Sequence, residues 1–331
     1  MTYLASLLPL AAIYGILVVG LNLQFGMTGI LNFTYITFVA VGAYISGVLS
    51  MGPSHNGLTY VLGANVPFPF NVLAGGLAAA IMGFFISFTA LRRLRSDYLA
   101  IVTIAAGEIV YTIAGNETAL FNGWTGLFNV PVPAPGSLSP AMQQLFFGGL
   151  CLLVLAAVMV FAQRVQSSPL GRILRSIRDD ETVTEAFGRD VYRTKLLIFF
   201  VGSFVAGLGG GLLVEYSTAY NPAAFLPTET FILWAALLIG GAGNNWGAIL
   251  GALIVPVGFT EATRFLPAVL NNTLMESLRG VAIGLLIIVV PIVLPHGIIR
   301  ERPLIDRSAD MPGGPPEKPR GSIGEVGESH G

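Results

Sequence analysis

Charged residues are scarce in this chain of 331 residues. Asp, Glu, Lys and Arg make up 11% of it, whereas hydrophobic residues make up 54%. A soluble domain carries about 25% charged residues, so the composition excludes an ordinary water-soluble fold. The net charge of −1 provides no basic surface for nucleic acid. The sequence therefore predicts an all-α protein in the lipid bilayer, because lipid offers no hydrogen bonds to an open backbone.

Residues that carry enzyme chemistry are also few. The chain has one cysteine, Cys151, and three histidines, at positions 55, 296 and 330. No metal-ligand spacing and no nucleophile motif can be built from them, so we predict no catalytic residue, metal or cofactor. The only lysines, Lys195 and Lys318, do not follow a glycine, so the chain lacks a phosphate-binding loop. Energy from ATP would have to come from another polypeptide.

Long apolar runs divide the chain into about nine predicted membrane spans, with eight to ten allowed, because about 20 residues cross the hydrocarbon. The runs cover residues 3–24, 31–50, 69–91, 98–114, 141–163, 196–214, 231–242, 248–263 and 275–294. The seventh and eighth are short and could form a re-entrant hairpin instead. We predict one transmembrane domain over residues 1–300, with a long loop at 164–195. The Pro- and Gly-rich residues 301–331 are predicted to form a disordered tail.

Clusters of basic residues lie in alternate loops, and this sets the predicted orientation. They are Arg92, Arg93 and Arg95, then Arg164, Arg172, Arg175, Arg178, Arg189, Arg193 and Lys195, and finally Arg300, Arg302 and Arg307. The positive-inside rule places these loops in the cytoplasm of an inner-membrane protein. The C-terminus is then cytoplasmic and the N-terminus lies outside. Residues 215–230, including Glu215, are predicted to form an outer loop.

The loop between the fifth and sixth spans has an amphipathic stretch over residues 171–188. Leu170, Ile173, Leu174 and Ile177 recur at helical spacing, and Gly188 suits the residue after a helix end. The polar residues are Arg172, Arg175, Arg178, Asp179, Asp180, Glu181 and Glu185. Such a face has nothing to bury against unless it lies on the membrane or docks a partner. A solvated loop is the alternative.

Glycine-rich breaks occur at corresponding places in the two halves of the chain. The first contains Gly26 and Gly29, and the second contains Gly240, Gly241, Gly243 and Gly247. Paired interruptions of this kind are typical of hinges beside a transport pathway, although tight turns also need glycine. Asn22 and Asn32 flank the first break and could bind a polar solute. The alternative is that they make hydrogen bonds between helices.

Glu108 is the clearest ionisable residue predicted to be buried within a span. A carboxylate at mid-depth costs several kcal/mol unless it is paired, protonated or hydrated. It is therefore a candidate pathway residue for a solute that carries an ammonium group. A protonated carboxyl that forms hydrogen bonds within the bundle is the equal alternative. A channel or secondary transporter would show more such carboxylates.

Several segments resemble the permease subunits of branched-chain amino acid ABC transporters, in their LivM-like branch. They are YGILVVGLNLQFGMTGILNF at 14–33, LRRLRSDYLAIVTIAAGEI at 91–109, SPLGRILRSIRDDETVTEAFGRDVYRTKL at 168–196 and LLIGGAGNNWGAILGAL at 237–253. Glu185-Ala186-Phe187-Gly188 matches the core of the family's loop signature, although Phe187 occupies a position where Ala or Leu is more usual.

The resemblance implies a role and a set of partners. The loop would be a coupling helix that docks on a cytoplasmic ATPase, with Gly171, Ala186 and Gly188 among the docking residues. The partners implied are a homologous second permease subunit, two ABC ATPase subunits and a soluble substrate-binding protein. The cargo implied is a branched-chain or similar small amino acid. Related permeases import urea or short amides, which remain an alternative.

Overall fold

The computed structural model describes residues 2–53, 60, 63–91, 96–136, 138–259 and 272–301. The predicted disordered tail lies outside these ranges except for Glu301, and so does the basic cluster at residues 92–95. The described residues form a helical bundle with one two-residue β-ladder.

Twelve α-helices occur in the described ranges. They are α1 (Thr2–Leu21), α2 (Tyr35–Ser50), α3 (Phe70–Ala90), α4 (Ser96–Asn116), α5 (Thr118–Phe121), α6 (Pro140–Ser167), α7 (Pro169–Asp179), α8 (Glu181–Ala186), α9 (Val191–Ser217), α10 (Pro227–Gly240), α11 (Asn245–Ala252) and α12 (Asn272–Val293). Short π-helices, Asn22–Gly26 and Leu253–Phe259, follow α1 and α11. Strands β1 (Leu127–Phe128) and β2 (Ala219–Tyr220) pair antiparallel.

Five helical segments in the described ranges are long and apolar enough to cross a membrane. They are Ser6–Gly26, Phe70–Ala90, Pro140–Ser167, Val191–Ser217 and Pro222–Gly240. Shorter apolar helices occupy the other four predicted spans: Tyr35–Ser50, Ala100–Asn116, Asn245–Phe259 and Gly280–Val293. The all-α membrane fold agrees with the sequence prediction, and the total of nine spans stays a prediction. The seventh run begins earlier than predicted, since α10 starts at Pro227.

Helix α9 is the central element of the bundle and packs against α1, α2 and α3. Small residues allow the close approach of these helices, as is usual for membrane interfaces. A Cβ atom on Gly207 would lie 2.8 Å from the Cα of Gly76 on α3. A Cβ on Gly210 would collide with the carbonyl of Val39 on α2. Larger side chains at these positions would therefore force the three helices apart.

Segments predicted to lie on one side of the membrane contact each other in the structure. The coupling end, as we call it, contains Gly26, the α6–α7 turn, Gly243 and Glu301, which are linked by hydrogen bonds and ion pairs. We call the opposite end, which contains β1, β2, Tyr60 and Phe121, the distal end. There β1 pairs with β2, and Tyr60 forms a bridge with Phe121. The alternation derived from the basic residues is therefore internally consistent, while the orientation in the membrane stays a prediction.

Glu215 does not lie in an outer loop as predicted, because α9 continues to Ser217. Its side chain is buried in the last turns of α9 and accepts a hydrogen bond of 2.5 Å from Asn71 Nδ2 on α3. The amide satisfies one carboxyl oxygen, which reduces the cost of removing the group from water. The sequence contained no indication of this partner, which is 144 residues away.

Aromatic side chains fill the distal end beneath the β-ladder. Tyr44 on α2 lies against Phe121, Tyr220 and Phe225, with ring centroids 4.8, 5.3 and 5.8 Å away. Tyr111 on α4 extends the cluster to Phe225 at 5.6 Å. Burial raises the pKa of the Tyr220 hydroxyl well above its ordinary value. These rings close the distal end of the described bundle around α2.

Candidate functional site

The amphipathic stretch 171–188 forms two helices instead of one. Asp180 has an extended backbone between α7 and α8, and its Oδ1 accepts a hydrogen bond of 3.0 Å from the Val183 amide. An aspartate at this position is a strong N-cap, so a new helix begins where the charged run was predicted to continue the first. Gly188 ends the segment with a φ of +75°, as its position predicted.

The apolar side of α7 is buried within the chain itself. Leu174 and Ile177 are 0% and 1% exposed, and α7 packs against the end of α6. The expectation that this face needs the membrane or a partner is therefore wrong for α7. The helical spacing was predicted correctly, but spacing does not identify the surface that covers a face.

Helix α8 carries the exposed apolar part of the loop. Phe187 is 81% exposed and Val183 is 51% exposed. Both border a concave surface between α7 and α8 that encloses a volume of about 510 Å³. Arg172, Ile173 and Arg189 also line this surface. Two exposed apolar side chains beside charged residues are typical of a protein contact surface.

The predicted docking residues fall into two groups. Arg172, Asp179, Glu185, Ala186 and Gly188 are exposed around this concave surface. The others contact this chain: Gly171 is buried at the α6–α7 turn, Asp180 caps α8, Glu181 forms an ion pair with Lys195, and Arg175 and Arg178 point toward the bundle. The first group is available to another protein, and so is Asp180, which is exposed and also lines this surface.

Arg178 connects the loop to the rest of the coupling end. Its Nη2 donates a hydrogen bond of 2.8 Å to Glu301 Oε2, and its Nη1 donates to the Gly26 carbonyl. Arg175 Nη1 lies 3.7 Å from the other carboxylate oxygen of Glu301, and its Nη2 donates to the Gln166 carbonyl at 2.9 Å. Because a guanidinium has several donors in one plane, Arg178 contacts two segments at once.

The two glycine breaks lie side by side. A Cβ atom on Gly26 would lie 2.5 Å from the Gly243 nitrogen. The Gly243 amide donates a hydrogen bond of 2.8 Å to Asn22 Oδ1 in the first π-helix. Gly241 and Gly243 have φ values of +114° and +86°, which favour glycine on steric grounds. Gly240 and Gly247 allow α10 and α11 to touch, and Gly29 contacts Arg178.

The amides of Asn22 and Asn32 are occupied within the bundle. Asn22 Nδ2 donates to Asn245 Oδ1 at 2.8 Å, and Asn32 Nδ2 donates to Gln24 Oε1 at the same distance. Asn32 Oδ1 also accepts a hydrogen bond from the Thr34 amide. Both residues are fully buried. This arrangement favours the alternative that they hold helices together.

Glu108 is exposed rather than buried, so that prediction is wrong for the single chain. It lies on the side of α4 that also exposes Ile101, Ile109 and Ile113. Helix α4 contacts the bundle along its opposite side, where Thr103 and Gly107 are buried. Hydropathy places a residue within a span but does not determine which way it faces.

Four polar residues of the coupling end were not identified from the sequence: Gln166, Asn244, Asn245 and Glu301. Gln166 Oε1 accepts a hydrogen bond of 3.1 Å from Asn245 Nδ2, and its amide donates 2.7 Å to the Gly243 carbonyl. Asn244 caps α11 and donates to the Arg300 carbonyl. Amides at the ends of predicted spans were the available signal, but their partners are distant in sequence.

Comparison with known proteins gives a consistent result. The family model described as "Branched-chain amino acid transport system / permease component" matches residues 3–291. The high-affinity branched-chain amino acid transport system permease protein LivM of Escherichia coli K12 is 31% identical over 270 residues, which are 75% of this chain and 61% of that protein. The probable LivM permease protein of Methanocaldococcus jannaschii is 28% identical over 327 residues, 88% of this chain and 92% of that protein.

The chain spans about three fifths of the length of the LivM proteins from Escherichia coli and Salmonella typhimurium. No solved structure matches it significantly. The family match covers nearly all of the described bundle, including the loop and both glycine breaks. The chain therefore belongs to the family of permease components of branched-chain amino acid transport systems, and its resemblance to the LivM members is confirmed.

Proposed function

We propose that this chain is a transmembrane permease subunit of an ABC importer that carries branched-chain or similar small amino acids across the inner membrane. Separate ATPase subunits drive it by docking on residues 171–188. A second, homologous permease subunit and a substrate-binding protein complete the importer. The family membership and the apolar helices support this proposal. The proposed cargo is the one that the relatives are named for. It is tested by comparing the uptake of labelled leucine with that of labelled urea, and faster uptake of urea would contradict it.

The exposed α8 surface carries the docking part of the proposal. Phe187 and Val183 project from a loop whose other side is fixed to the bundle by Leu174, Ile177 and Arg178. A fixed apolar projection loses little conformational freedom when a partner covers it, which favours its use as an anchor. The surrounding Arg172, Glu185 and Arg189 would form the polar rim of the contact.

A test of docking uses the left-handed conformation of Gly188. Proline cannot adopt a φ of +75°, and it would remove the amide that donates 2.8 Å to the Glu185 carbonyl. We expect Gly188→Pro to distort α8, to abolish co-purification of the ATPase and to abolish uptake, while the protein stays in the membrane. Glu185→Lys, which reverses an exposed charge, should have the same effect on uptake.

The matched control is Gly188→Asn. Asparagine tolerates the left-handed region better than other residues, and nothing lies within 4 Å of the position of its Cβ atom. This variant should retain ATPase binding and uptake. If Gly188→Pro also retains both, the loop is not the docking site.

The exposed side of α4 fits a contact with the second permease subunit. A carboxylate that faced lipid halfway along a span would cost several kcal/mol, and Glu108 lies among exposed isoleucines at residue 13 of the 21 in α4. Another subunit or a hydrated pathway would remove that cost. In the proposed function Glu108 borders the pathway between the two permease subunits, where it meets the ammonium group of the passing amino acid.

A further inference from the structure

Four elements of the coupling end meet at one ion pair. Arg178 on α7 and Glu301 after α12 are joined at 2.8 Å, with 26% and 24% of their side chains exposed. The same guanidinium donates to the carbonyl of Gly26 at the end of the first π-helix. The loop, the first π-helix and the segment that follows α12 are therefore connected through one side chain.

The second glycine break closes around the same pair. A Cβ atom on Gly243 would lie 2.7 Å from Glu301 Oε2 and 3.0 Å from Arg178 Nη1. Gly29 also faces this arginine, since its Cβ would lie 3.4 Å from Arg178 Cγ. Gly29 and Gly243 thus leave room for this arginine, and Gly26 accepts a hydrogen bond from it. The breaks and the loop therefore form one contact site instead of three separate features.

We propose that Arg178 is a positioning residue that transmits movement of the loop to both glycine breaks, with Glu301 holding its guanidinium in place. We call Arg178, Glu301, Gly26 and Gly243 the clamp. This inference rests on the proposed function, because it requires an ATPase that moves α7 and α8. Displacement of α7 then pulls on the end of α1 and on the α10–α11 turn, where the helices are already interrupted.

The chemistry of the clamp requires an arginine. The planar guanidinium binds the carboxylate with Nη2 and the carbonyl with Nη1 at the same time. A lysine ammonium is a point charge on a flexible stem, and it cannot hold both acceptors in this geometry. The clamp therefore predicts that Arg178→Lys fails although it preserves the charge.

The test uses the full importer, with permease and ATPase subunits in liposomes and the binding protein supplied outside. Three quantities are measured for each variant: ATPase co-purification, ATP hydrolysis and amino acid uptake. For Arg178→Gln we expect co-purification within twofold of the unmodified importer and at least a tenfold fall in uptake per ATP hydrolysed. Uptake per ATP hydrolysed should fall at least fivefold in Arg178→Lys and about threefold in Glu301→Gln.

The control is Arg193→Gln, because the Arg193 side chain is 84% exposed and its ion pair among the described residues is the local one with Asp190. Its uptake per ATP should not change. If uptake per ATP hydrolysed is unchanged in Arg178→Lys and Glu301→Gln, the proposed role of the clamp is wrong, even if Arg178→Gln fails to fold. The role is also wrong if Arg178→Lys has the same uptake per ATP as the unmodified importer while Arg178→Gln does not. Absence of ATPase from the unmodified complex would instead refute the proposed function, and the clamp with it.

Discussion

Truncation of Phe187 gives the clearest quantitative prediction for the docking surface. With 81% of this residue exposed in the isolated chain, nearly all of its side chain is available to a partner. Covering on the order of 150 Å² of apolar surface at about 25 cal/mol per Å² is worth about 3–4 kcal/mol. Because alanine keeps part of that area, Phe187→Ala should weaken ATPase binding by about 2–3 kcal/mol, or roughly 30- to 150-fold in Kd.

The assay is the affinity of the ATPase subunit for the permease purified in detergent, measured on a sensor surface. The stability of the permease should change by less than about 0.5 kcal/mol, since Phe187 packs little against its own chain. The matched control is Phe161→Ala on α6. Phe161 is 45% exposed among other apolar side chains outside the loop, so this change should leave the Kd unchanged. A Kd for Phe187→Ala within twofold of the unmodified permease would refute the argument.

Three further variants test other parts of the structure. Asn22→Ala removes the partner of Asn245 and of the Gly243 amide and should destabilise the protein by about 2–4 kcal/mol, seen as a lower melting temperature in detergent; an unchanged melting temperature would contradict the hydrogen-bond network. Glu215→Ala strands the Asn71 amide and should cost about 1–3 kcal/mol, whereas Glu215→Gln keeps an acceptor oxygen and should cost much less; equal losses would exclude the pair. Glu108→Gln should reduce amino acid uptake between pH 5 and 8 without loss of ATPase binding, and unchanged uptake would return Glu108 to a structural role.

The helices could be predicted from the sequence because hydropathy and glycine placement are local properties. Predicted spans such as 69–91 and 141–163 differ by only a few residues from Phe70–Ala90 and Pro140–Ser167. The break at Gly26 and the end of the loop at Gly188 were also found in this way. Each of these features depends on residues within one or two turns of the chain.

Contacts between distant segments could not be predicted in the same way. Arg178 was expected to face a partner, but it bonds to Gly26 and Glu301, which are 152 and 123 residues away. Glu108 lies in the predicted helix but faces outward, and Glu215 lies in α9 instead of an outer loop, because the facing of α4 and the length of α9 depend on packing. A charge pattern along one helix does not specify which side meets the bundle.

Site-specific cross-linking from the loop is the most direct test of whether an ATPase subunit docks there. A photoreactive phenylalanine analogue placed at position 187 would be activated in the assembled importer. If the ATPase docks on the loop, the analogue will cross-link to the nucleotide-hydrolysing subunit, and the same analogue at position 161 on α6 will not. If position 187 reacts only with lipid, solvent or this chain, the loop is not the surface through which the ATPase drives transport.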